Sequence, residues 1–138
     1  MSSARVFIRA DDTRRFLFVR RASHDVNHAG EEVPPGGKVK TGETPEQAAI
    51  RETKNETSLK LEAIVPLCNG TMRAKRSPTS AIIEFDVHYF MARVPHENGI
   101  ATEHDTSTHW RTLDEYASIP SQPEYQTVAR EQRDMLER

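Results

Sequence analysis

The stretch from Pro34 to Leu59 constrains the fold of this chain most, because it joins a rigid turn to a strongly marked helix start. It opens with the letters PPGG at 34–37, which cannot continue a regular helix or form a central strand. Thr44 then stands at the N-cap, a proline fills the first helical position, and Gln47 completes a capping box. The sequence therefore predicts a turn followed by a helix over 45–57, after which weak helix formers and β-like residues follow.

One face of this predicted helix is acidic. Glu52 and Glu56 are four residues apart, so they lie roughly 40° from each other around the helix axis. Asn55 and Ala48 fall on the same face, whereas the side facing a sheet would hold Ile50, Thr53 and Thr57. Two neighbouring carboxylates repel each other unless a cation lies between them, and oxygen ligands of this kind suit Mg²⁺ or Mn²⁺. A solvated acidic face is the usual interpretation of two Glu residues alone, and the glycine turn and cap that lead into this face weaken that interpretation.

The same stretch resembles the Nudix box, G-x5-E-x7-R-E-U-x-E-E-x-G-U, in which U is a bulky aliphatic residue. The positions that match this pattern are Gly37, Glu43, Arg51, Glu52, Glu56 and Leu59. Three positions depart from it: Thr53 replaces U, Asn55 replaces the first Glu of E-E, and Ser58 replaces the Gly. The match covers the middle fifth of the chain, and its spacing makes it fairly specific.

The resemblance implies an α+β fold, a Nudix-like α/β/α sandwich with a mixed sheet between helices. It also implies hydrolysis of a diphosphate linked to another group, commonly in a nucleoside diphosphate derivative, with Mg²⁺ or Mn²⁺ as cofactor. By this resemblance the metal ligands are Glu52, Glu56, the carbonyl oxygen of Gly37 and, as a neutral substitute, Asn55. Arg51 would orient carboxylates by pairing with Glu43. A homodimer is common in such a family.

The box leaves the general base open. The first candidate is Glu103 in a polar loop, and the second is Glu84, on a strand face that either meets solvent or lines a substrate cleft. A basic cluster formed by Arg73, Lys75 and Arg76 falls in a predicted loop over 69–80. It would either contact substrate phosphates or simply be solvated, and the sequence favours neither.

A different function class stays open because of Asn55. An amide in place of a carboxylate weakens a cation site, and the domain would then bind a nucleotide-like ligand without cleaving it. The motif favours the enzyme over this binding module.

The chain has 138 residues, a length that predicts one domain over 1–138. A net charge of −2 gives no electrostatic case for binding DNA or a membrane surface. One cysteine, Cys68, excludes an internal disulfide, and the N-terminal residues contain no long apolar segment, so a cytoplasmic protein is expected. His24 and His28 are interpreted as loop residues rather than metal ligands.

Hydrophobic alternation predicts the remaining elements. A hairpin is expected from 5–10 and 15–21, and further strands at 59–67, 81–94 and 109–113. A short helical turn at 114–118 and an amphipathic helix at 124–136 complete the pattern. Tyr125, Val128, Met135 and Leu136 are the expected core contacts of that last helix.

Overall fold

The computed structural model describes residues 1–21, 30–75, 77–97 and 107–138. Within these ranges the strands are β1 (Ser2–Ala10), β2 (Phe16–Arg20), β3 (Glu32–Val33), β4 (Gly36–Lys38), β5 (Val65–Lys75), β6 (Ile82–Val94) and β7 (Ser107–Arg111). The helices are α1 (Pro45–Thr57), α2 (Leu113–Ala117), α3 (Pro123–Glu131) and α4 (Arg133–Leu136). The predicted residues His24, His28, Arg76 and Glu103 lie outside the described ranges.

The strands form one mixed sheet with β1 near its centre. β1 runs parallel to β6 on one side, and on the other side it pairs antiparallel with β2 at its C-terminal end and β4 at its N-terminal end. The main path of the sheet is β3-β2-β1-β6-β5, and β7 pairs with β2. The predicted hairpin of β1 and β2 is confirmed.

Alternation along β1 separates two core layers. Ala4, Val6 and Ile8 pack in the layer that holds Ala48 and Ala49 of α1, whereas Phe7 packs with Tyr125 and Leu136 of the C-terminal helices. Helices thus cover both faces of the sheet. The expected α/β/α sandwich is confirmed.

Helix α1 begins and ends as its sequence predicts. The Thr44 side chain accepts a hydrogen bond from the Gln47 N–H, and the Gln47 side-chain oxygen accepts one from the Thr44 N–H. Ser58 ends the helix in the left-handed region with φ 67°. Thr53 and Thr57 are fully buried against the sheet, as expected. Ala48, four residues before Glu52, is also fully buried in the core.

The largest difference from the sequence-based prediction concerns β5. The predicted strand at 59–67 begins only at Val65, and the predicted loop at 69–80 is strand as far as Lys75. Ten positions of β5 pair antiparallel with β6, which supplies backbone partners to a segment whose Asn69 and Gly70 resemble a turn. Pairing with a distant strand therefore outweighed the local composition.

Two smaller differences concern the glycine turn and the C-terminus. Residues 36–38 form the short strand β4 beside β1 rather than a pure turn. The predicted helix at 124–136 is interrupted at Gln132, and Met135 is 39% exposed instead of buried, whereas Tyr125 and Leu136 are buried. No helix in the described part of the chain is long and apolar enough to cross a membrane.

Candidate active site

The site begins at the close contact between β4 and β1. Gly36 pairs with Arg5, and a Cβ atom at Gly36 would lie 2.0 Å from the carbonyl oxygen of Ala4. Its φ of 150° is also unfavourable for other residues. A glycine at this position therefore lets the turn lie directly on the central strand.

Glu52 lies against the next glycine. A Cβ atom at Gly37 would be 2.6 Å from Oε2 of Glu52, closer than real Cβ contacts occur. The carboxylate of Glu52 consequently occupies the space that a side chain at Gly37 would need. This contact joins the first acidic residue of α1 to the backbone of β4.

Glu56 reaches the same short segment from one helical turn further on. The N–H of Gly36 donates a hydrogen bond of 2.8 Å to Oε1 of Glu56. Both carboxylates that share one face of α1 thus meet the backbone of two consecutive glycines. Both side chains are partly buried, so the acidic face is not simply a solvated one.

Arg51 ties the loop before the helix to the acidic face. Its Nε and Nη2 donate to the two carboxylate oxygens of Glu43 at 2.8 and 2.9 Å, and Nη2 also donates to the carbonyl oxygen of Lys38 at 3.0 Å. Arg51 forms a further ion pair with Glu52. The contact expected between Arg51 and Glu43 is therefore present. The hydrogen bonds from Arg51 and from the Lys40 N–H lower the pKa of Glu43 to about 2.

The sequence analysis did not identify Arg5, whose side chain is hydrogen-bonded to the backbone of the glycine turn. Its Nη1 donates to the carbonyl oxygens of Pro34 at 3.0 Å and Gly36 at 3.3 Å, and its guanidinium lies 5.3 Å from the ring centroid of Tyr125. Arg5 is 8% exposed. An arginine at an inward-facing position between the apolar residues Ala4 and Val6 was the signal that could have identified it.

The donor set of this region fits a hard divalent cation. It offers two carboxylates and, beside them, the backbone of Gly37, and Mg²⁺ binds through one or two carboxylates together with waters and substrate phosphates. Among the described residues, no three side chains of His, Cys, Asp or Glu converge as a metal site. These groups could therefore supply part of a coordination shell, which a phosphate-bearing ligand would complete.

Asn55 lies on the exposed side of α1, between two partly buried glutamates in sequence. Thr53, the other departure inside the helix, is fully buried, and it occupies the aliphatic position of the pattern without facing the acidic side. Of the departures from the pattern, Asn55 is the one that changes the charge of this helix face.

The basic residues predicted to contact phosphate are distributed differently from the prediction. Arg73 and Lys75 belong to β5 rather than a loop, and Arg73 lies directly opposite Glu84 of β6. Lys75 lines a cavity of about 360 Å³ that also contacts Gly37, whereas Arg73 and Glu84 do not line it. The site therefore brings Lys75 close to the glycine turn and leaves Arg73 and Glu84 on the exposed strands.

That cavity, here called the turn cavity, combines an apolar surface with positive charge. Its lining includes Ile83 and Phe85 of β6, together with Arg5, Lys38 and Lys75. An apolar wall with a few cations suits a ligand that has a flat ring at one end and phosphates at the other. The turn cavity adjoins the segment on which Glu52 and Glu56 converge.

A model of the NUDIX domain family matches residues 1–134, and the chain therefore belongs to this family. The 8-oxo-dGTP diphosphatase of Escherichia coli (strain K12) is 42% identical to it over 43 residues, which are 31% of this chain and 33% of that protein. The chain thus aligns with about a third of the length of this curated relative.

Solved structures share the fold at lower identity. The E. coli dihydroneopterin triphosphate pyrophosphohydrolase superposes with a TM-score of 0.78 at 21% identity, covering 96% of this chain and 95% of that chain. The NUDIX domain of Shewanella oneidensis NrtR, solved with ADP ribose, gives a TM-score of 0.74 at 18% identity, covering 99% of this chain and 88% of that chain. Both similarities show the fold alone.

Proposed function

We propose that this chain is a metal-dependent hydrolase that cleaves a diphosphate linkage in a nucleoside diphosphate derivative. The observation that carries the proposal is the convergence of Glu52 and Glu56 on the backbone of Gly36 and Gly37. The diphosphatase and pyrophosphohydrolase among its relatives support the same reaction class.

In this proposal Glu52, Glu56 and the Gly37 carbonyl hold a divalent cation, Mg²⁺ or Mn²⁺, and Asn55 adds a neutral oxygen. Nudix hydrolases generally need divalent metal ions. Such an ion, when bound, neutralises phosphate oxygens and makes water a better nucleophile. Arg51 holds the loop through Glu43 and Lys38, and so keeps Glu52 beside Gly37.

The turn cavity is proposed to receive the substrate. Ile83 and Phe85 offer an apolar surface for a base, and Lys75 offers a cation for the phosphates. Arg73 of the predicted basic cluster lies outside the lining of this cavity, and a phosphate contact by Arg76 stays a prediction. Glu103 and Glu84 stay the candidates for the general base.

Three further predictions stay untested by the geometry of the site. They are a single domain over 1–138, a cytoplasmic location and a homodimer.

The test is chromatography of a substrate panel after incubation with and without Mg²⁺ or Mn²⁺. Cleavage of a triphosphate releases phosphate or pyrophosphate, whereas cleavage of ADP-ribose gives AMP and ribose phosphate. The panel contains the common nucleoside triphosphates, 8-oxo-dGTP, dihydroneopterin triphosphate and ADP-ribose. Glu56→Gln retains an oxygen that can accept from the Gly36 N–H but removes the charge, so we expect at least about a 100-fold loss of kcat. Glu46→Gln, on the exposed first turn of the same helix, is the control. Full turnover by Glu56→Gln in Mg²⁺ would refute the metal site.

A second function is favoured by Asn55 and by the similarity to a NUDIX domain solved with ADP ribose. In this case the chain binds a nucleotide in the turn cavity and does not cleave it. Calorimetric titration of ADP-ribose, followed by chromatography of the recovered ligand, separates the two functions. Saturable binding with intact ligand, and no product from any member of the panel, would establish the binding module.

A further inference from the structure

A second cavity lies at the opposite end of β1 and has no role in the proposed hydrolysis. It has a volume of about 490 Å³, within the range of small-molecule sites, and shares no lining residue with the turn cavity. Its apolar wall consists mainly of Phe7, Phe16, Met91, Met135 and Leu136. We call it the Arg9 cavity after the buried residue that lines it.

Arg9 is the unusual feature of this cavity. The residue is 2% exposed, yet its hydrogen bonds are long: 3.4 Å from Nη1 to the carbonyl oxygen of Leu136 and 3.5 Å from Nη2 to Oδ1 of Asp11. Its buried Nε has no partner among the described residues. Burying a guanidinium costs free energy unless good acceptors meet its five N–H groups, and the protein supplies few of them here.

The charges around the cavity have one predominant sign. Arg93 and Arg138 line it together with Arg9, and no acidic side chain is among its lining residues within the described part of the chain. Asp11 is the acidic group in contact, bonded to Arg9 and, at 3.1 Å, to Nε of Arg93, and its side chain is 49% exposed. Asp11 pairs with two of these three guanidiniums, so the lining of the cavity carries more positive than negative charge.

We propose that the Arg9 cavity binds a small organic anion that consists of an apolar body and one carboxylate. The body occupies the space between Phe7, Met91 and Leu136. The carboxylate accepts hydrogen bonds from the guanidinium groups of Arg9, Arg93 and Arg138, and so compensates a buried charge whose own hydrogen bonds are long. Neutral analogues of the same shape bind much more weakly because they leave this charge uncompensated.

The first experiment titrates 2-naphthoate into the full chain by calorimetry, without nucleotide or divalent metal, so the result does not depend on the proposed hydrolysis. We expect saturable binding at one site, and at least tenfold weaker binding of the neutral 2-naphthamide. Arg9→Met keeps a long apolar side chain and removes the charge, so it should weaken naphthoate binding at least tenfold. Arg130→Gln, an exposed substitution on α3 outside the cavity lining, is the matched control and should bind as the wild type does.

A second variant keeps the proposal testable if Arg9→Met fails to fold. Ala63 is exposed and lines the cavity, so Ala63→Trp would fill its space while every arginine remains. Loss of naphthoate binding by this variant supports the proposal. Equal affinities for naphthoate and naphthamide, or wild-type binding by Ala63→Trp, would overturn it. A wild-type dimer in sedimentation that Ala63→Trp dissociates would also overturn it, because the cavity would then be a subunit interface.

Discussion

At the residue scale, a substitution at Gly37 should affect catalysis much more than stability. The Cβ of Gly37→Ala would meet the end of the flexible Glu52 side chain, which can move away. We therefore expect a change in unfolding free energy of no more than about 1 kcal/mol but a large loss of kcat, because Glu52 is displaced from the glycine turn. Thermal unfolding and steady-state kinetics measure the two effects. Gly70→Ala is the control, since its Cβ would meet Tyr89 at an ordinary 3.5 Å.

Asn55 is the second single residue with a testable effect, because it replaces a carboxylate on the acidic face by a neutral amide. A neutral amide oxygen attracts Mg²⁺ less than a carboxylate does, so we expect a metal requirement on the order of millimolar. Asn55→Glu should lower the Mg²⁺ concentration that gives half the maximal rate. Asn55→Gln introduces a side chain as long as that of Glu but neutral, so it should not lower this concentration. The rate of hydrolysis is measured for both variants and the wild type as Mg²⁺ or Mn²⁺ is titrated. An unchanged metal dependence in Asn55→Glu would show that position 55 does not face the cation.

At the scale of elements, α1 and β5 show what sequence could and could not predict. The bounds of α1 and the contact of Arg51 with Glu43 follow from local signals, since a capping box and fixed spacing act within a few residues. The extent of β5 depends on pairing with β6, and the role of Arg5 depends on a turn about thirty residues away in sequence. Contacts between distant segments determine both the extent of β5 and the role of Arg5, and such contacts cannot be predicted from local composition.

The course of β5 leads to a prediction that separates two residues of the basic cluster. Lys75 lines the turn cavity, whereas Arg73 lies opposite Glu84 and outside its lining. If Lys75 binds phosphate equally in the ground state and the transition state, Lys75→Ser should raise KM roughly tenfold with little change in kcat. Arg73→Ser should change neither constant. Equal effects of the two substitutions would contradict this assignment.

At the scale of the whole molecule, ion pairs between elements make stability depend on pH. Hydrogen bonds from Arg51 and the Lys40 N–H lower the pKa of Glu43 from its ordinary value of 4.5 to about 2. Burial opposes ionisation of Glu32, but its hydrogen bonds with Arg111, of 2.7 and 2.8 Å, outweigh this and lower the pKa of Glu32. Both groups bind protons more weakly in the folded state, so the stability they contribute is complete above pH 4.5 and is lost as the pH falls below it.

Thermal unfolding between pH 7 and pH 2.5 tests this contribution. Glu43→Gln should unfold at a lower temperature than the wild type at pH 7, and the difference should shrink as the pH approaches 2.5. Glu62→Gln, an exposed position after α1, should follow the wild-type curve. A constant difference between Glu43→Gln and the wild type at every pH would show that the ion pair does not cause the dependence.

The position of β1 has a consequence for the motions of the protein. β1 pairs with β6 at nine positions, its other side pairs with β4 at three positions and with β2 at one, and its residues from Ser3 to Ala10 are buried, so its amide hydrogens are well shielded. Such a strand should exchange its amide hydrogens only when the whole molecule unfolds. The glycine turn is bonded to one end of it and the Arg9 cavity is built on the other. Both regions therefore share the most slowly exchanging part of the chain as their support, and fluctuations in the outer helices should leave their spacing unchanged.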